Sequence, residues 1–239
     1  MNEANRPEAA SPAEPAYHVP DRLHADRRVA VIVHGATLDW TPSPQAGIER
    51  RFLEREGLEV ARATSLVRYA PNSRFPGHVH EMGEEYLVLE GVFSDQDGDF
   101  GVGTYVRNPP GSRHTPFTRE GCVIFVKLRQ MEARDAAQPV TVTRGGASVP
   151  TGVAGLTRTP LFTSPGREEV CFERLDPAAR WDARSADGGE EILVLDGVLD
   201  YGGTPCGALT WLRIPHGQER PMSTVEGCRL WVKRGHLAH

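Results

Sequence analysis

Hydrophobic residues along the chain fall into short runs, not into one long periodic stripe. Segments rich in Val, Leu, Tyr, Phe and Thr lie at 60–70 (VARATSLVRYA), 85–93 (EYLVLEGVF), 104–110 (TYVRNPP) and 122–128 (CVIFVKL). Turn-forming stretches such as APNS, SDQDGD and PPGS separate them, and short strands between such turns predict an all-β protein. Only 47–57 (GIERRFLEREG) hints at a helix, and an extended conformation fits this segment equally well because it lies between predicted strands.

The second half of the chain repeats the first. Adding 106 to a residue number between Leu66 and Lys127 gives its counterpart without a gap. The fragment EEYLVLEGV, which starts at Glu84, aligns with EEILVLDGV, and TYVRNPPG aligns with TWLRIPHG. The lead-in segments 29–33 (VAVIV) and 140–144 (VTVTR) are loosely similar. A tandem repeat of this kind predicts two like β-sandwiches or barrels.

The junction between the repeats falls near 131–139 (MEARDAAQP). We therefore expect a first domain at 28–134 and a second domain at 135–239. The preceding residues, 1–27, are rich in Pro, Ala and Glu, a composition typical of a disordered tail.

Composition narrows the class of protein. The chain has 27 basic and 32 acidic residues and a net charge of −5, which speaks against a nucleic-acid or anionic-membrane surface. No apolar run approaches the roughly 20 residues of a membrane span, and the first residues lack the apolar core of a secretory signal. The four cysteines form no C-x-x-C pair, as expected for reduced thiols in a cytoplasmic protein.

The candidate chemistry lies in the first repeat. In 78-HVHEMGEE-85, His78 and His80 alternate onto one strand face, and Glu84 opens the next strand. A lone H-x-H is more often a pair of surface histidines, but 103-GTYVRNPPGSRH-114 supplies a third imidazole, His114, after a rigid turn. Three imidazoles and one carboxylate suit zinc, iron, manganese, cobalt or nickel. Glu85 points to the opposite strand face, where we expect it to be solvated or paired with Arg68 or Arg107.

The second repeat lacks these ligands. At the same offset His78 becomes Arg184, His80 becomes Ala186 and His114 becomes Arg220, whereas Glu84 keeps its carboxylate as Glu190. Arginine binds no metal here, so we expect a metal-free barrel with a structural role, in which Glu190 pairs with Arg220 or Arg184. The alternative is a cationic pocket for an anionic ligand, which would be formed by Arg184, Arg213 and Arg220.

The remaining histidines fall outside any ligand spacing and are interpreted as surface groups: His18, His24, His34, His216, His236 and His239. Cys122 and Cys228 occupy matching places in apolar strands and are predicted to be small core residues. The tryptophans are predicted to serve packing, although Trp181 could also lie at the pocket mouth of the second repeat.

The two metal-site segments resemble the cupin motifs. His78-x-His80-x3-Glu84-x6-Gly91 is similar to the first motif, and Gly103-x5-Pro109-x-Gly111-x2-His114 is similar to the second. Asn72 and Thr118 depart from the usual Gly and Asn, but neither position binds metal in the family. More narrowly, GEEYLVLEGVFSDQDGDFGVGTYVRNPPGSRHTP resembles the ChrR type of cupin. The resemblance implies two tandem jelly-roll (double-stranded β-helix) barrels and metal ligands His78, His80, Glu84 and His114.

The resemblance implies two functions. ChrR-type cupins form the metal-binding half of zinc-dependent anti-sigma factors, which favours a non-catalytic sensor or regulator. The zinc-binding helical module of those factors is missing before the first repeat, so we expect no direct sigma-factor binding. The alternative is an Fe(II)-dependent dioxygenase acting on a small chelating diketone or hydroxy-ketone. We expect one divalent transition metal per chain, zinc first, with iron, manganese or nickel as alternatives, a small-molecule ligand and a homodimer.

Overall fold

A computed structural model describes residues 19–184 and 187–237, without the side chains of residues 182–184. In the first half, the described strands are, in chain order, β1 (Arg22–Leu23), β2 (Val31–His34), β3 (Thr41–Pro42), β4 (Ile48–Glu56), β5 (Arg62–Tyr69), β6 (His78–Val79), β7 (Glu84–Asp95), β8 (Gly98–Gly101), β9 (Tyr105–Asn108), β10 (Arg113–His114), β11 (Cys122–Leu128) and β12 (Thr141–Thr143).

The second half continues with β13 (Val149–Pro150), β14 (Leu156–Ser164), β15 (Glu168–Leu175), β16 (Arg180–Arg184), β17 (Glu190–Gly197), β18 (Leu199–Tyr201), β19 (Thr204–Cys206), β20 (Thr210–Ile214), β21 (Arg220–Ser223) and β22 (Cys228–Arg234). The helical elements of the described chain are two 3₁₀ turns, Gly35–Thr37 and Ala133–Ala137. The prediction of an all-β protein is therefore confirmed.

Each half forms a large antiparallel sheet and a small one. The first large sheet has the order β1-β4-β5-β11-β7-β9-β12, with β3 beside β4 and β8 beside β7, and its small companion is β6-β10. The second has the order β13-β14-β15-β22-β17-β20-β2, with β16-β21-β18-β19 as companion. The ambiguous segment 47–57 contains β4, an extended strand. A bulge between Phe52 and Glu54 breaks its alternation, which explains its mixed pattern.

The two halves exchange one strand each. β2 pairs antiparallel with β20 of the second sheet, with Val31 opposite Arg213. In return, β12 pairs with β9 of the first sheet, with Thr141 opposite Arg107. The similar lead-in segments of the sequence are thus equivalent strands, each of which completes the sheet of the other barrel. Each of the expected ranges, 28–134 and 135–239, thus contributes one strand to the sheet of the other range.

The expected disordered tail, 1–27, contains a strand where the structure describes it. Arg22 and Leu23 form β1 and pair with Glu56 and Arg55 of β4. Residues 1–18 of that tail lie outside the described residues, as do His18 and His239.

Three apolar clusters hold the sheets together. One fills the first barrel around Tyr86, Phe93 and Ile124, and a second fills the other barrel around Ile192 and Leu212. The third contains residues of both halves and lies between the barrels. Its centre includes Phe125 and Trp231, equivalent residues of the two repeats whose rings meet edge-on at a centroid distance of 5.0 Å.

The strand β11 shows how sequence alternation serves both clusters. Cys122 and Ile124 belong to the interior of the first barrel, whereas Phe125 belongs to the cluster between the barrels. Because both faces of β11 are buried, its sequence is the largely apolar run CVIFVKL and not an alternation of apolar and polar residues. Cys122 and Cys228 are both buried, so their predicted place in the core is confirmed.

Buried ion pairs accompany the cluster between the barrels. Lys127 of β11 pairs with Glu191 of β17, and its equivalent, Lys233 of β22, pairs with Glu85 of β7. These lysine and glutamate side chains are at most 2 % exposed. The exchange is reciprocal, since each lysine reaches the carboxylate of the other repeat.

Two arginines extend this charged layer. Arg213 Nη1 lies 2.7 Å from Glu54 Oε2, and its equivalent, Arg107, pairs with Glu85 at 3.3 Å and with Glu168. Burial of single charges would be very unfavourable, but here every carboxylate contacts at least one cation. The layer therefore fixes how the barrels are arranged, because any sliding would leave buried charges unpaired.

Removal of one charge from this layer has a predictable cost. We expect Lys233→Ala to lower the free energy of unfolding by about 3–5 kcal/mol, because it leaves the buried carboxylates of Glu85 and Glu168 without their lysine. Urea denaturation measures the change. The control is Arg119→Ala, which removes an exposed pair with Asp99 and should cost less than about 1 kcal/mol. Equal effects of the two variants would contradict the role assigned to the buried layer.

The repeats also share backbone turns that favour glycine. Asn72 has φ 62° and its equivalent, Ala178, has φ 61°. Glycine adopts this left-handed conformation without strain, and Asn tolerates it better than Ala does.

Glycine at the strained alanine should stabilise the protein. We expect Ala178→Gly to raise the free energy of unfolding by about 1 kcal/mol, because it relieves a left-handed conformation at an exposed position. The matched control, Ala137→Gly in the second 3₁₀ turn, has no positive φ to relieve and should lose about 0.5–1 kcal/mol. Thermal and urea unfolding of both variants checks the opposite signs.

Candidate metal centre

The two predicted ligand segments are joined by a small sheet. β6 pairs with β10, so that His78 lies opposite His114. The backbone N–H of His80 donates to the carbonyl of Ser112 at 2.9 Å, and Gly111 donates back to the carbonyl of His80 at 2.9 Å. The Pro109–Gly111 turn thus holds the third histidine beside the first two. The sequence spacing of the second motif predicts this placement.

The four predicted side chains converge. One ligand atom from each of His78, His80, Glu84 and His114 lies within 4.8 Å of all the others. The Nε2 atoms of His80 and His114 each lie 3.5 Å from Glu84 Oε1. The imidazole ring centroids are 4.6–4.9 Å apart. His80, Glu84 and His114 are buried, whereas His78 is half-buried and forms the outer edge of the group.

Hydrogen bonds fix which nitrogen of each histidine faces the centre. His78 Nδ1 lies 3.0 Å from the Pro76 carbonyl, which can only accept. His114 Nδ1 lies 3.3 Å from the Asp95 carboxylate, also an acceptor. His80 Nδ1 lies 2.9 Å from Ser112 Oγ, whose own proton is donated to the Pro109 carbonyl at 2.6 Å.

Each Nδ1 must therefore carry the proton, which leaves the lone pair of each Nε2 directed at the other ligands. The Nε2 atoms of His80 and His114 are buried and have no hydrogen-bond partner in the described part of the chain. Buried polar atoms without a partner are rare. Bound metal would satisfy these two atoms, and outward hydrogen bonds of this kind are the usual support of ligating histidines.

The protonation states also suit metal binding. Burial lowers the pKa of His80 to about 4, although the nearby Glu84 carboxylate partly opposes this shift. His80 is therefore neutral at pH 7 and can offer a lone pair. Burial also raises the pKa values of Tyr69 and Tyr86, both in the interior of the first barrel. Both phenols remain neutral there.

Several residues of the centre were missed by the sequence analysis. Asp95 and Ser112 orient two histidines, and Asn108 Nδ2 donates to Glu84 Oε1 at 3.3 Å. Asn108 stands opposite Glu84 in the β7–β9 register, so strand pairing would have found it. The sequence does not indicate a role for Asp95, because Asp95 lies far along the chain from His114, which it contacts.

Glu84 and Glu85 point to opposite faces of β7, as predicted. Glu84 reaches the histidines, whereas Glu85 joins the buried charges between the barrels. Its predicted pairing with Arg107 is confirmed at 3.3 Å, but the alternatives are wrong. Glu85 is buried, not solvated, and Arg68 pairs with Glu49.

An open groove of about 470 Å³ borders the centre. Its lining includes two of the ligands, residues in or next to β6 and β10, and Gln96 from the turn between β7 and β8: Gly77, His78, Val79, Gln96, Arg113, His114 and Thr115. The groove gives a small molecule access to the half-buried side of the centre.

Arg213 does not take part in the predicted cationic pocket of the second barrel. Arg213 is 1 % exposed and is committed to Glu54, so it lines no cationic pocket with Arg220. Arg220 is exposed and lies over the ring of Tyr201 at 5.6 Å. Glu190 pairs with Arg234, whose Nε lies 3.2 Å from its Oε2. The side chain of Arg184, and Ala186, lie outside the described residues.

Other predicted residues can be placed. His24, His34 and His216 are exposed, as expected. His236 is not a surface group, because its side chain is 8 % exposed and lies beside Glu191. Trp181 is half-buried and packs against the core of the second barrel.

Comparisons with known proteins place this geometry in a family. The family model "ChrR Cupin-like domain" matches residues 28–132 and 140–238. No curated protein matches the sequence. In the described residues, no helix is long and apolar enough to cross a membrane.

Solved structures share the fold at low sequence identity. A protein described as a putative dioxygenase from Nostoc punctiforme has 15% identity and a TM-score of 0.70, over 89% of this chain and 85% of that one. A putative glyoxylate-induced protein from Pseudomonas aeruginosa has 14% identity and a TM-score of 0.71, over 98% and 96%. The pirin YhhW of Escherichia coli, in complex with nickel(II), has 12% identity and a TM-score of 0.64, over 86% and 98%. With both repeats matched by one family model and the whole fold shared with these proteins, the chain belongs to the ChrR cupin-like family as a tandem cupin.

Proposed function

We propose that the first barrel binds one divalent transition metal through His78, His80, Glu84 and His114. The observation that carries this proposal is the pair of buried Nε2 atoms, on His80 and His114, that have no partner in the described chain and face Glu84. Zinc, iron, manganese and nickel all suit three imidazoles and a carboxylate. The nickel named for the E. coli pirin supports a transition metal in this fold.

Metal content tests the proposal. We expect about one metal ion per chain in protein purified without oxygen, because four ligands converge on one point. His80→Ala should lose the ion. Ser112→Ala keeps all four ligands but removes the acceptor that orients His80, so its metal affinity should fall about 10–100-fold. Elemental analysis and competition with a chelator measure both effects.

The control is His34→Ala, which removes an exposed histidine and should leave the metal content unchanged. Equal metal in wild type and His80→Ala would contradict the site.

We further propose that the centre acts on a small chelating oxygen ligand, as an Fe(II)-dependent dioxygenase of diketones or hydroxy-ketones would. The groove beside His78 and His114 supports this, because it opens the least buried side of the centre to a small molecule. When bound, the metal would supply Lewis acidity and redox chemistry. The description of the Nostoc protein as a putative dioxygenase agrees with this function.

The chain's own residues would bind and orient the ligand. Arg113 flanks the groove and can donate hydrogen bonds to ligand oxygens. Phe75 and Phe93 place their rings 5.3 and 6.1 Å from His78 and His114 and shield the centre from water. Glu84 is one of the four proposed metal ligands, so its role is to hold the ion, not to transfer protons.

A metal-dependent sensor without catalysis is the second candidate. The match to the ChrR cupin-like family model favours it. In this function the groove would admit a small effector, and its binding at the metal would change a surface recognised by a partner.

Oxygen consumption separates the two candidates. Iron-loaded protein mixed with pentane-2,4-dione should consume oxygen, and His80→Ala should consume none above background, because it lacks a ligand that the iron requires. Arg119→Gln, which changes an exposed arginine elsewhere, is the matched control. Native zinc with no oxygen consumption after iron loading would reject the dioxygenase and leave the sensor.

A further inference from the structure

The interior of the first barrel contains a buried polar group that the proposed function does not use. Tyr86 is 1 % exposed, and its phenol oxygen has no hydrogen-bond partner in the described part of the chain. Buried phenol groups usually find a partner, because they have lost their contact with water. The Nε2 atoms of His80 and His114 also lack a partner, but bound metal would satisfy them. The phenol O–H requires an acceptor, which a metal cation is not.

Tyr86 lies on the same side of β7 as the proposed ligand Glu84. The two residues are two positions apart in this strand, so alternation directs both side chains into the barrel. Phe93 lies between Tyr86 and the histidines, with its ring centroid 4.8 Å from that of Tyr86 and 6.1 Å from that of His114. One aromatic ring therefore separates Tyr86 from a second proposed ligand.

The charges around the phenol keep it in its protonated, donating form. Burial raises the pKa of Tyr86, and the carboxylates of Glu84 and Asp95 raise it further. Both carboxylates have other partners, since Asn108 donates to Glu84 and His114 contacts Asp95. Neither of them accepts a hydrogen bond from the phenol. A molecule inside the barrel would supply the acceptor that the described residues do not.

The second repeat shows that the barrel does not require a phenol at this position. The equivalent of Tyr86 is Ile192, which is fully buried in the core of the second barrel, and the equivalent of Phe93 is Leu199. Aliphatic side chains thus fill the same space without a polar atom. The hydroxyl of Tyr86 is therefore not needed for packing, and it occurs in the repeat that carries the proposed metal ligands.

The second barrel has a buried phenol of its own. The oxygen of Tyr201 also lacks a hydrogen-bond partner in the residues that the structure describes. Tyr201 stands at the position equivalent to Asp95, and its ring lies 5.6 Å from the guanidinium of Arg220. An unpartnered phenol does not by itself indicate a ligand. Tyr86 differs from Tyr201 because it adjoins four converging metal ligands.

From the unpartnered O–H, its place beside Glu84 and its absence from the repeat without the ligands, we infer that Tyr86 donates a hydrogen bond to an oxygen atom of the small molecule that binds at the metal. The inference rests on the proposed metal centre and adds to it a residue that recognises the ligand. Such a donor favours ligands with a carbonyl oxygen over ligands without an acceptor, because the latter leave the buried O–H unpaired.

Ligand binding to the cobalt-loaded, full-length protein tests the inference, with visible absorption as the signal. The probes are pentane-2,4-dione, which has two carbonyl oxygens, and imidazole, which binds through nitrogen and has no oxygen. Tyr86→Phe should weaken the binding of pentane-2,4-dione about tenfold, as expected for the loss of one hydrogen bond. It should leave the affinity for imidazole and the cobalt content unchanged. Urea denaturation should show no loss of stability, because no described residue bonds the hydroxyl.

Tyr201→Phe is the matched control, since it removes a buried phenol from the other barrel and should bind both probes as wild type does. Tyr86→Ile installs the residue of the other repeat and decides the test if circular dichroism shows that Tyr86→Phe does not fold. Wild-type protein that holds no cobalt would reject the metal centre itself. Cobalt-loaded protein that binds no pentane-2,4-dione, or binds it equally with and without the hydroxyl, would overturn the inference and leave the centre intact. An equal loss with both probes would assign Tyr86 a structural role and overturn it as well.

Discussion

The buried pairing of Lys233 with Glu85 determines more of this molecule than any other contact. Glu85 is adjacent to Glu84, and strand alternation sends the two carboxylates to opposite faces of β7. The pairing therefore fixes the rotation of β7 from the outside of the barrel, and this rotation directs Glu84 at the histidines. The reciprocal pair, Lys127 with Glu191, does the same for β17. There the neighbouring Glu190 pairs with Arg234.

The sequence predicts what depends on periodicity and local spacing. Alternation separates Glu84 from Glu85, and the spacing of the two motifs brings three histidines to one carboxylate. The sequence does not predict the features that depend on contacts between the repeats. The exchange of β2 and β12 was visible only as two similar lead-in segments, because nothing in a strand's own residues says which sheet it will join. For the same reason the sequence does not predict that Arg213 is buried, because its partner, Glu54, belongs to the other half of the chain.

The repeats show which features the fold itself requires. Both copies keep the left-handed residue at Asn72 and Ala178, and both keep a threonine whose hydroxyl donates to the backbone, Thr118 to Val92 and Thr224 to Val198. These features close the same turns in each barrel, whether or not metal ligands are present. The histidines have no such structural role, since the second repeat keeps its core without them. Conserved backbone and divergent side chains in one chain thus separate residues that build the barrel from those that supply chemistry.

One turn of the metal centre is held by a loop outside the centre. Residues 81–83 connect His80 to Glu84, and the loop after β11 holds this turn by three contacts. Arg129 N–H donates to the Gly83 carbonyl at 2.9 Å, Met131 N–H donates to the Met82 carbonyl at 3.1 Å, and the Arg129 side chain pairs with Glu81. Gly83 has φ 73°, and a Cβ there would lie only 2.4 Å from the sulfur of Met131. The turn is therefore fitted tightly against this loop. A shift of the loop would change the spacing of His80 and Glu84, so the position of two of the proposed ligands depends on contacts made outside the metal centre.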